Sequence, residues 1–188
     1  MDGKKYDSLK IENIVASGVI ADDIDLAEIS SKIEGCELNK KRFPGAVYRV
    51  DNPKMASLIF SSGKVVLTGI RDEKSLEVGL KKVLKSLKDA GIKLHDVPDV
   101  NVTNIVCSYD IGHFINLNRI VASLSMETIE YEPEQFPGLV YRIKDPKIVA
   151  LLFSSGKIIL TGGKNLDDVR SGLDVLEKSL ADVIKEMK

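Results

Sequence analysis

Phe43-Pro44-Gly45, followed by Val47-Tyr48-Arg49 and then by Phe60-Ser61-Ser62-Gly63-Lys64 and Leu67-Thr68-Gly69, occurs twice in this chain. The second copy is Phe136-Pro137-Gly138, Val140-Tyr141-Arg142, Phe153-Ser154-Ser155-Gly156-Lys157 and Leu160-Thr161-Gly162. Of the 27 positions from Phe43 to Gly69, 17 match the residue 93 places later. Chance does not produce that. A period near half of 188 residues means two copies of one supersecondary unit, not a solenoid of many.

Composition narrows the classes. The formal net charge is −1, so no overall basic field announces a nucleic-acid partner. The two cysteines, Cys36 and Cys107, form neither a disulfide framework nor a metal spacing and read as reduced thiols of an intracellular protein. The start of the chain has no signal-peptide pattern, and no apolar run approaches the ~18 residues of a membrane span.

Outward from the repeat, the halves read alike: strand, short helix, several strands, long helix. Residues 1 to 9 are polar and expected to fray. Strands are expected over Ile11–Ser17 and Val102–Ser108. A short helix is expected from Asp25, its N-cap, to Ile33, with another over Leu117–Leu124. Phe43 to Gly69 reads as hairpin-linked antiparallel strands, turning at Pro53 and at Ser61-Ser62-Gly63. A long helix follows from Glu73 to Ala90, its apolar stripe Leu76, Leu80, Val83, Leu84 and Leu87, with Gly91 as the stop. Lys74, Lys81, Lys82, Lys85 and Lys88 read as its solvated face. The last helix is expected from Leu166 to the end.

Alternation puts Val65 and Leu67 on one face and Val66 and Thr68 on the other, and likewise Ile158 and Leu160 against Ile159 and Thr161. Asn13 shares a face with Val15, and Asn104 with Val106. Strands apolar on both sides need cover on both sides. Two long helices cover one side of about ten strands, which leaves an apolar face carrying Asn and Thr for a partner.

Enzyme readings fail. Gly63-Lys64 lacks the flanking pattern of a phosphate-binding loop, His95 and His113 have no second ligand at a metal spacing, and no Ser or Cys is matched to a base. The duplicated set is Asn, Phe, Phe, Arg, Lys and Thr, which can bind but lacks a carboxylate. Asn and Thr in an apolar surface, phenylalanines at strand ends, and Arg49, Arg142, Lys64 and Lys157 as rim cations suit a B-DNA minor groove, whose A·T steps offer only acceptors. Apolar wedges between base steps kink DNA from that side.

With Asn-Ile-Val ahead of each copy and Glu130-Tyr131-Glu132-Pro133-Glu134-Gln135 leading into the second, almost the whole chain resembles the TATA-box-binding protein family, in particular its short archaeal members. The resemblance implies an α+β fold: a pseudo-two-fold saddle, a curved antiparallel sheet of about ten strands with helices on the convex face, its repeats at 1–92 and 93–188. It implies a general transcription factor of the archaeal cytoplasm or nucleoid (the nucleus, were the source eukaryotic), with no cofactor and no metal. Such a protein binds TATA-containing double-stranded DNA in the minor groove, bends it and nucleates assembly with transcription factor B and, indirectly, RNA polymerase. By the same resemblance Phe43 with Phe60, and Phe136 with Phe153, are kinking pairs. Asn13 and Asn104 are central hydrogen-bonding residues, and Val15, Val106, Val66, Ile159, Thr68 and Thr161 face the groove. Arg42, Arg49, Arg142, Ser62, Ser155, Lys64 and Lys157 lie beside phosphates.

The loops ahead of the two Phe-Pro-Gly copies break the symmetry: Asn39-Lys40-Lys41-Arg42 is basic, and the loop from Glu130 to Gln135 is acidic. Acidic side chains beside DNA are repelled, so Glu132, Glu134 and Gln135 suit a basic protein partner, which the resemblance makes transcription factor B. Two rival readings stay open on the residues alone: an interaction module whose bare sheet pairs with a second copy, and a small-molecule-binding enzyme on a saddle-type fold. Whether the free protein dimerises through that face also stays open.

Overall fold

Both copies of the duplication fold into the same order of elements. In the computed structural model, which describes residues 5–125 and 127–185, the first half runs β1 (Lys10–Val19), α1 (Leu26–Lys32), β2 (Cys36–Leu38), β3 (Ala46–Asp51), β4 (Lys54–Ile59), β5 (Lys64–Ile70) and α2 (Glu73–Asp89). The second runs β6 (Asp99–Asp110), α3 (Leu117–Ser123), β7 (Ile129–Glu130), β8 (Leu139–Ile143), β9 (Ile148–Leu152), β10 (Lys157–Gly163) and α4 (Leu166–Lys185). The chain forms two compact units, residues 13–103 and residues 104–188 together with 1–12. Strand order is β2-β3-β4-β5-β1 in the first and β7-β8-β9-β10-β6 in the second. Neighbouring strands pair antiparallel, β1 with β5, β3 with β4 and β8 with β9 among them. This is the expected α+β class, with ten strands and four helices among the described residues.

Local chemistry sets the boundaries. The Asp25 carboxylate accepts from the Ala27 and Glu28 N–H groups, and the Asn116 amide oxygen from Arg119, so each short helix starts on a side-chain cap. Asp72 caps α2 through Ser75, and at its other end the N–H groups of Gly91 and Ile92 fold back onto Lys88 and Leu87 with Gly91 at φ +96. Gly63 and Gly156, at φ +78 and +90, turn β4 into β5 and β9 into β10, and a Cβ there would lie 1.8 and 2.1 Å from a carbonyl oxygen.

The core lies between strands and helices within each unit. Ile14, Ala16, Ile59, Val65 and Leu67 are fully buried in the first, and Leu139, Ala150, Leu152 and Leu160 in the second. Tyr48 bonds Ser86 of α2 at 3.0 Å, and Tyr141 donates to Ser179 of α4 at 3.2 Å, pinning helix to sheet identically in both units.

Several boundaries differ from the sequence pattern. The buried row of α2 is Gly79, Val83 and Leu87, while Leu76, Leu80 and Leu84 stay half-buried. Gly79 brings the helix so close to β4 that a Cβ would sit 2.0 Å from the Met55 sulfur, and the row facing the sheet runs through Gly79 rather than Leu76, Leu80 and Leu84. β1 and β6 run longer than expected. Residues 5–9 are held rather than frayed: Lys5 pairs with Asp174 at 2.7 Å and Glu177 at 3.2 Å, Tyr6 donates to Asp174, and Ser8 to the Asp110 carbonyl. Those anchors are polar, so hydrophobic periodicity does not register them. The first four residues, and the last three of the final helix's expected span, lie outside the described residues. The offset of the duplication is 91 at Asn13/Asn104 and 93 at Phe43/Phe136, because the loop after the short helix is two residues longer in the second half.

Candidate nucleic-acid interface

One face of each unit is apolar and only half-buried. In the first unit it carries Asn13 and Val15 from β1 and Val66 and Thr68 from β5. Leu58 and Ala56 of β4 lie directly opposite Val66 and Thr68, and Val47 and Arg49 of β3 come next. In the second unit the set is Asn104, Val106, Ile159 and Thr161, extended by Leu151 and Val149 of β9, then Val140 and Arg142 of β8. The residues between them point at the helices and are buried. The β3, β4, β8 and β9 members Val47, Ala56, Leu58, Val140, Val149 and Leu151 were not anticipated. The period-two count back from Phe60 and Phe153 reaches Leu58 and Leu151, and was the signal available.

At the centre of each face an asparagine is held in one orientation. The Asn13 Oδ1 accepts from the Gly69 N–H at 2.8 Å, and its Nδ2 donates to the Thr68 hydroxyl at 3.1 Å. Asn104 repeats this with Gly162 at 2.7 Å and Thr161 at 3.2 Å. The backbone donor arises from an irregular register: pairing shifts between Ile14 and Ala16 and between Leu160 and Gly163, with Gly69 and Gly162 at φ +90 and +109. A backbone N–H can only donate, so the amide oxygen is turned inward and the NH2 outward. One of its two hydrogens is used by threonine, and the other has no hydrogen-bond partner among the described residues.

The phenylalanines come as edge-to-face pairs. Phe43 and Phe60 have ring centroids 5.5 Å apart at 63°, and Phe136 and Phe153 are 5.9 Å apart at 71°. The glycine of each Phe-Pro-Gly makes room for the pair. A Cβ on Gly138 would lie 2.7 Å from the Phe136 ring and 3.1 Å from Phe153, and one on Gly45 2.8 Å from Phe43 and 2.7 Å from the Ile59 carbonyl oxygen. Phe136 is 39% exposed although apolar neighbours are at hand, an arrangement that keeps a rigid ring in contact with solvent.

Cations ring the faces. Arg42, Arg49, Lys64 and Lys157 are exposed, as are Ser62 and Ser155 in the turns beside the phenylalanines. Arg142 is exposed and paired with Glu130, Nη2 to Oε1 at 3.2 Å. The loops ahead of the two Phe-Pro-Gly copies share one backbone turn: the N–H groups of Arg42 and Phe43 donate to Asn39, and those of Gln135 and Phe136 to Glu132. On that shared turn one copy carries Lys40, Lys41 and Arg42, the other Glu132, Glu134 and Gln135, all exposed. His95 lies 3.0 Å from Asp22, and no group of residues able to hold a metal ion occurs among the described residues. Among those residues no helix is long and apolar enough to cross a membrane.

Known proteins share this chain's pattern over nearly all its length. The family description "Transcription factor TFIID (or TATA-binding protein, TBP)" matches residues 8–90 and again 99–183. TATA-box-binding protein 2 of Methanosarcina mazei is 51% identical over 173 residues, 92% of this chain and 94% of that protein. The TATA-box-binding protein of Archaeoglobus fulgidus is 48% identical over 172 residues, again 92% and 94%. The solved Methanococcus jannaschii TBP superimposes with a TM-score of 0.82 at 44% identity, over 93% of this chain and 99% of that one. Neither rival reading, the homodimeric module or the small-molecule enzyme, has support among these relatives. This chain, a general transcription factor and not an enzyme, belongs to the TATA-binding protein family.

Proposed function

We propose that the two half-buried faces lie in the minor groove of A/T-rich promoter DNA, one from each repeat (residues 1–92 and 93–188). The observation that carries this is the fixed amide of Asn13 and Asn104, each with a hydrogen turned outward in an apolar surface. A·T pairs present only acceptors in the minor groove, so an outward donor is satisfied there, whereas guanine adds an amino group that sets donor against donor and finds no room among packed Val, Ile and Thr. Burying a donor without an acceptor costs roughly 1–3 kcal/mol, and a mismatched pair costs about as much. Val15, Val66, Thr68, Val106, Ile159 and Thr161, with Leu58 and Leu151, line the groove.

The phenylalanine pairs then act as wedges. Insertion of apolar side chains between base steps is the means by which TATA-binding proteins, among other minor-groove proteins, kink DNA. Each pair is already stacked edge-to-face beside a glycine, so little conformational freedom is lost on insertion. Arg42, Arg49, Arg142, Lys64, Lys157, Ser62 and Ser155 meet phosphates along the bent duplex. The acidic turn of Glu132, Glu134 and Gln135 faces a basic partner, transcription factor B, which orients the complex and brings RNA polymerase. The site of action is the nucleoid.

A gel shift on a TATA-containing duplex against a G·C-rich one tests this reading. Preference for the TATA duplex by a factor of a hundred or more is expected from several disfavoured pairs at the cost above. Equal affinity contradicts it.

A further inference from the structure

The duplicated helices α2 and α4 carry opposite charges on their exposed sides. Their offset is 93: Asp72 and Asn165 cap the two starts through Ser75 and Asp168, and Ser86 matches Ser179, each bonded to the tyrosine of β3 or β8. Under that offset Lys74 stands at the place of Asp167, Glu77 at that of Arg170, and Lys81 at that of Asp174. All six side chains are exposed. Positions three and four apart share one side of a helix, so each trio forms a stripe, plus-minus-plus on α2 and minus-plus-minus on α4. Two more differences run the same way, Lys82 against Val175 and Leu84 against Glu177.

Packing against the sheet does not demand the reversal. The rows that do that work, Gly79, Val83 and Leu87 in α2 and Gly172, Leu176 and Leu180 in α4, are buried and apolar in both units. The ion pairs within the stripes, Glu77 with Lys81 at 2.5 Å and Asp167 with Arg170 at 3.5 Å, are open to solvent and contribute little to folding. Lys5 and Tyr6 both bond Oδ1 of Asp174, so Oδ2 takes part in neither bond. Each stripe also adjoins an exposed valine. Val78, 41% exposed, lies one turn from both Lys74 and Lys81, and Val175, 38% exposed, follows Asp174.

We propose that α2 of one copy docks antiparallel on α4 of a second copy of this chain. Antiparallel alignment sets Lys74 against Asp174, Glu77 beside Arg170 and Lys81 against Asp167, so every charge of one stripe meets its opposite. Parallel alignment would match the same signs but bring Lys85 onto Lys178. Charge selects the occupant. A nucleic acid suits the lysines of α2 and is repelled by the carboxylates of α4, whereas this chain carries both stripes at one spacing. The contact joins two different surfaces and is therefore heterologous, unlike the pairing of one face with itself. Within each unit the helix lies on the buried side of the sheet, so docking leaves the half-buried face around Asn13 or Asn104 uncovered.

The test is sedimentation velocity of the full chain without DNA, over a concentration series at about 0.05 M and about 0.5 M salt, between which the screening length shortens about three-fold. Two variants each install the other unit's residues: Glu77→Arg with Lys81→Asp, and Asp167→Lys with Arg170→Glu. Both spare the Lys5–Asp174 pair and alter only exposed side chains, so thermal midpoints are expected to stay within about 2 °C. Wild type is expected to associate at the lower salt and come apart at the higher. Either variant alone sets like charges together at two of the three positions and should need about ten-fold more protein, or beyond, to reach the same average mass. Their equimolar mixture should recover wild-type association, because the altered α2 of one complements the altered α4 of the other. A wild type that stays monomeric at the lower salt overturns the proposal. So do variants that associate as wild type does, which places the contact on another surface, and a mixture no better than its components.

Discussion

Arg142 and Glu130 form an ion pair that the first unit does not reproduce. The Arg142 Nε and Nη2 donate to Glu130 at 3.2 to 3.3 Å, whereas Arg49, at the matching place in β3, has no ion pair among the described residues, although Glu37 matches Glu130. On the proposed reading, in which Arg142 meets a phosphate, that phosphate competes with Glu130 for the arginine. Glu130→Gln is expected to tighten TATA binding a few-fold, since exposed pairs are worth up to about 1 kcal/mol. The log–log salt slope should steepen by about 0.9 as one more cation becomes available. A titration at three salt concentrations checks both, and an unchanged slope takes Arg142 out of the phosphate contacts.

The phenylalanine pairs proposed as wedges can be disturbed without replacing either ring. The three nearest neighbours of a methyl at Gly138 are atoms of the Phe136 and Phe153 rings, whereas the nearest to one at Gly45 is the Ile59 carbonyl oxygen. Gly138→Ala should lower DNA affinity and bending while leaving thermal stability nearly unchanged, and Gly45→Ala should lower both. Phe153→Ala removes a stacking partner worth roughly 1–3 kcal/mol, so about ten-fold or more in affinity should go with the bend. Fluorescence end-to-end distances on a labelled duplex report the bend, and normal bending by Phe153→Ala removes that residue from the wedge.

Asn104→Asp separates anchoring from recognition. The aspartate keeps an oxygen for the Gly162 N–H but replaces the outward donor with a charged acceptor facing A·T acceptors. Folding should hold, and TATA affinity should fall by ten-fold or more. Affinity within two-fold of wild type means that the amide does not face the groove.

What was legible in the sequence was what repeats or alternates. Val65-Val66-Leu67-Thr68 and its copy told the covered face from the open one, and the duplication made the phenylalanine and asparagine pairs stand out from any single polar or aromatic residue. Physical devices that depend on backbone irregularity were not legible. The bracket of Asn13 on Gly69 needs a register shift and a positive φ, which the Thr-Gly dipeptide alone does not announce. Nor does periodicity record a contact made by ion pairs, as at Lys5 and Asp174, or a glycine that lets a helix settle closer, as at Gly79 over Met55.

Two buried thiols give an alkaline prediction. Burial pushes the Cys107 thiol up to about 11, from 9.0, with the Glu12 charge adding to it, and burial also raises Cys36. The folded state therefore holds protons that the unfolded chain releases, so this contribution to stability is intact below about pH 9 and lost as pH rises through 11. Urea midpoints at pH 7, 9 and 10.5 should fall mainly over the last interval, and less so in Cys107→Ala. An equal fall in that variant assigns the alkaline loss to other groups.

The central claim is minor-groove readout by a fixed donor in an apolar surface, and inosine isolates it. An I·C pair presents the major groove of G·C but the minor groove of A·T, because it lacks the guanine amino group. Affinity should be measured on three duplexes: TATA, the same site with G·C pairs, and the same site with I·C pairs. Binding to the I·C duplex within about three-fold of TATA, with G·C weaker by two orders of magnitude, is the predicted result. An I·C duplex bound as weakly as the G·C one contradicts the account.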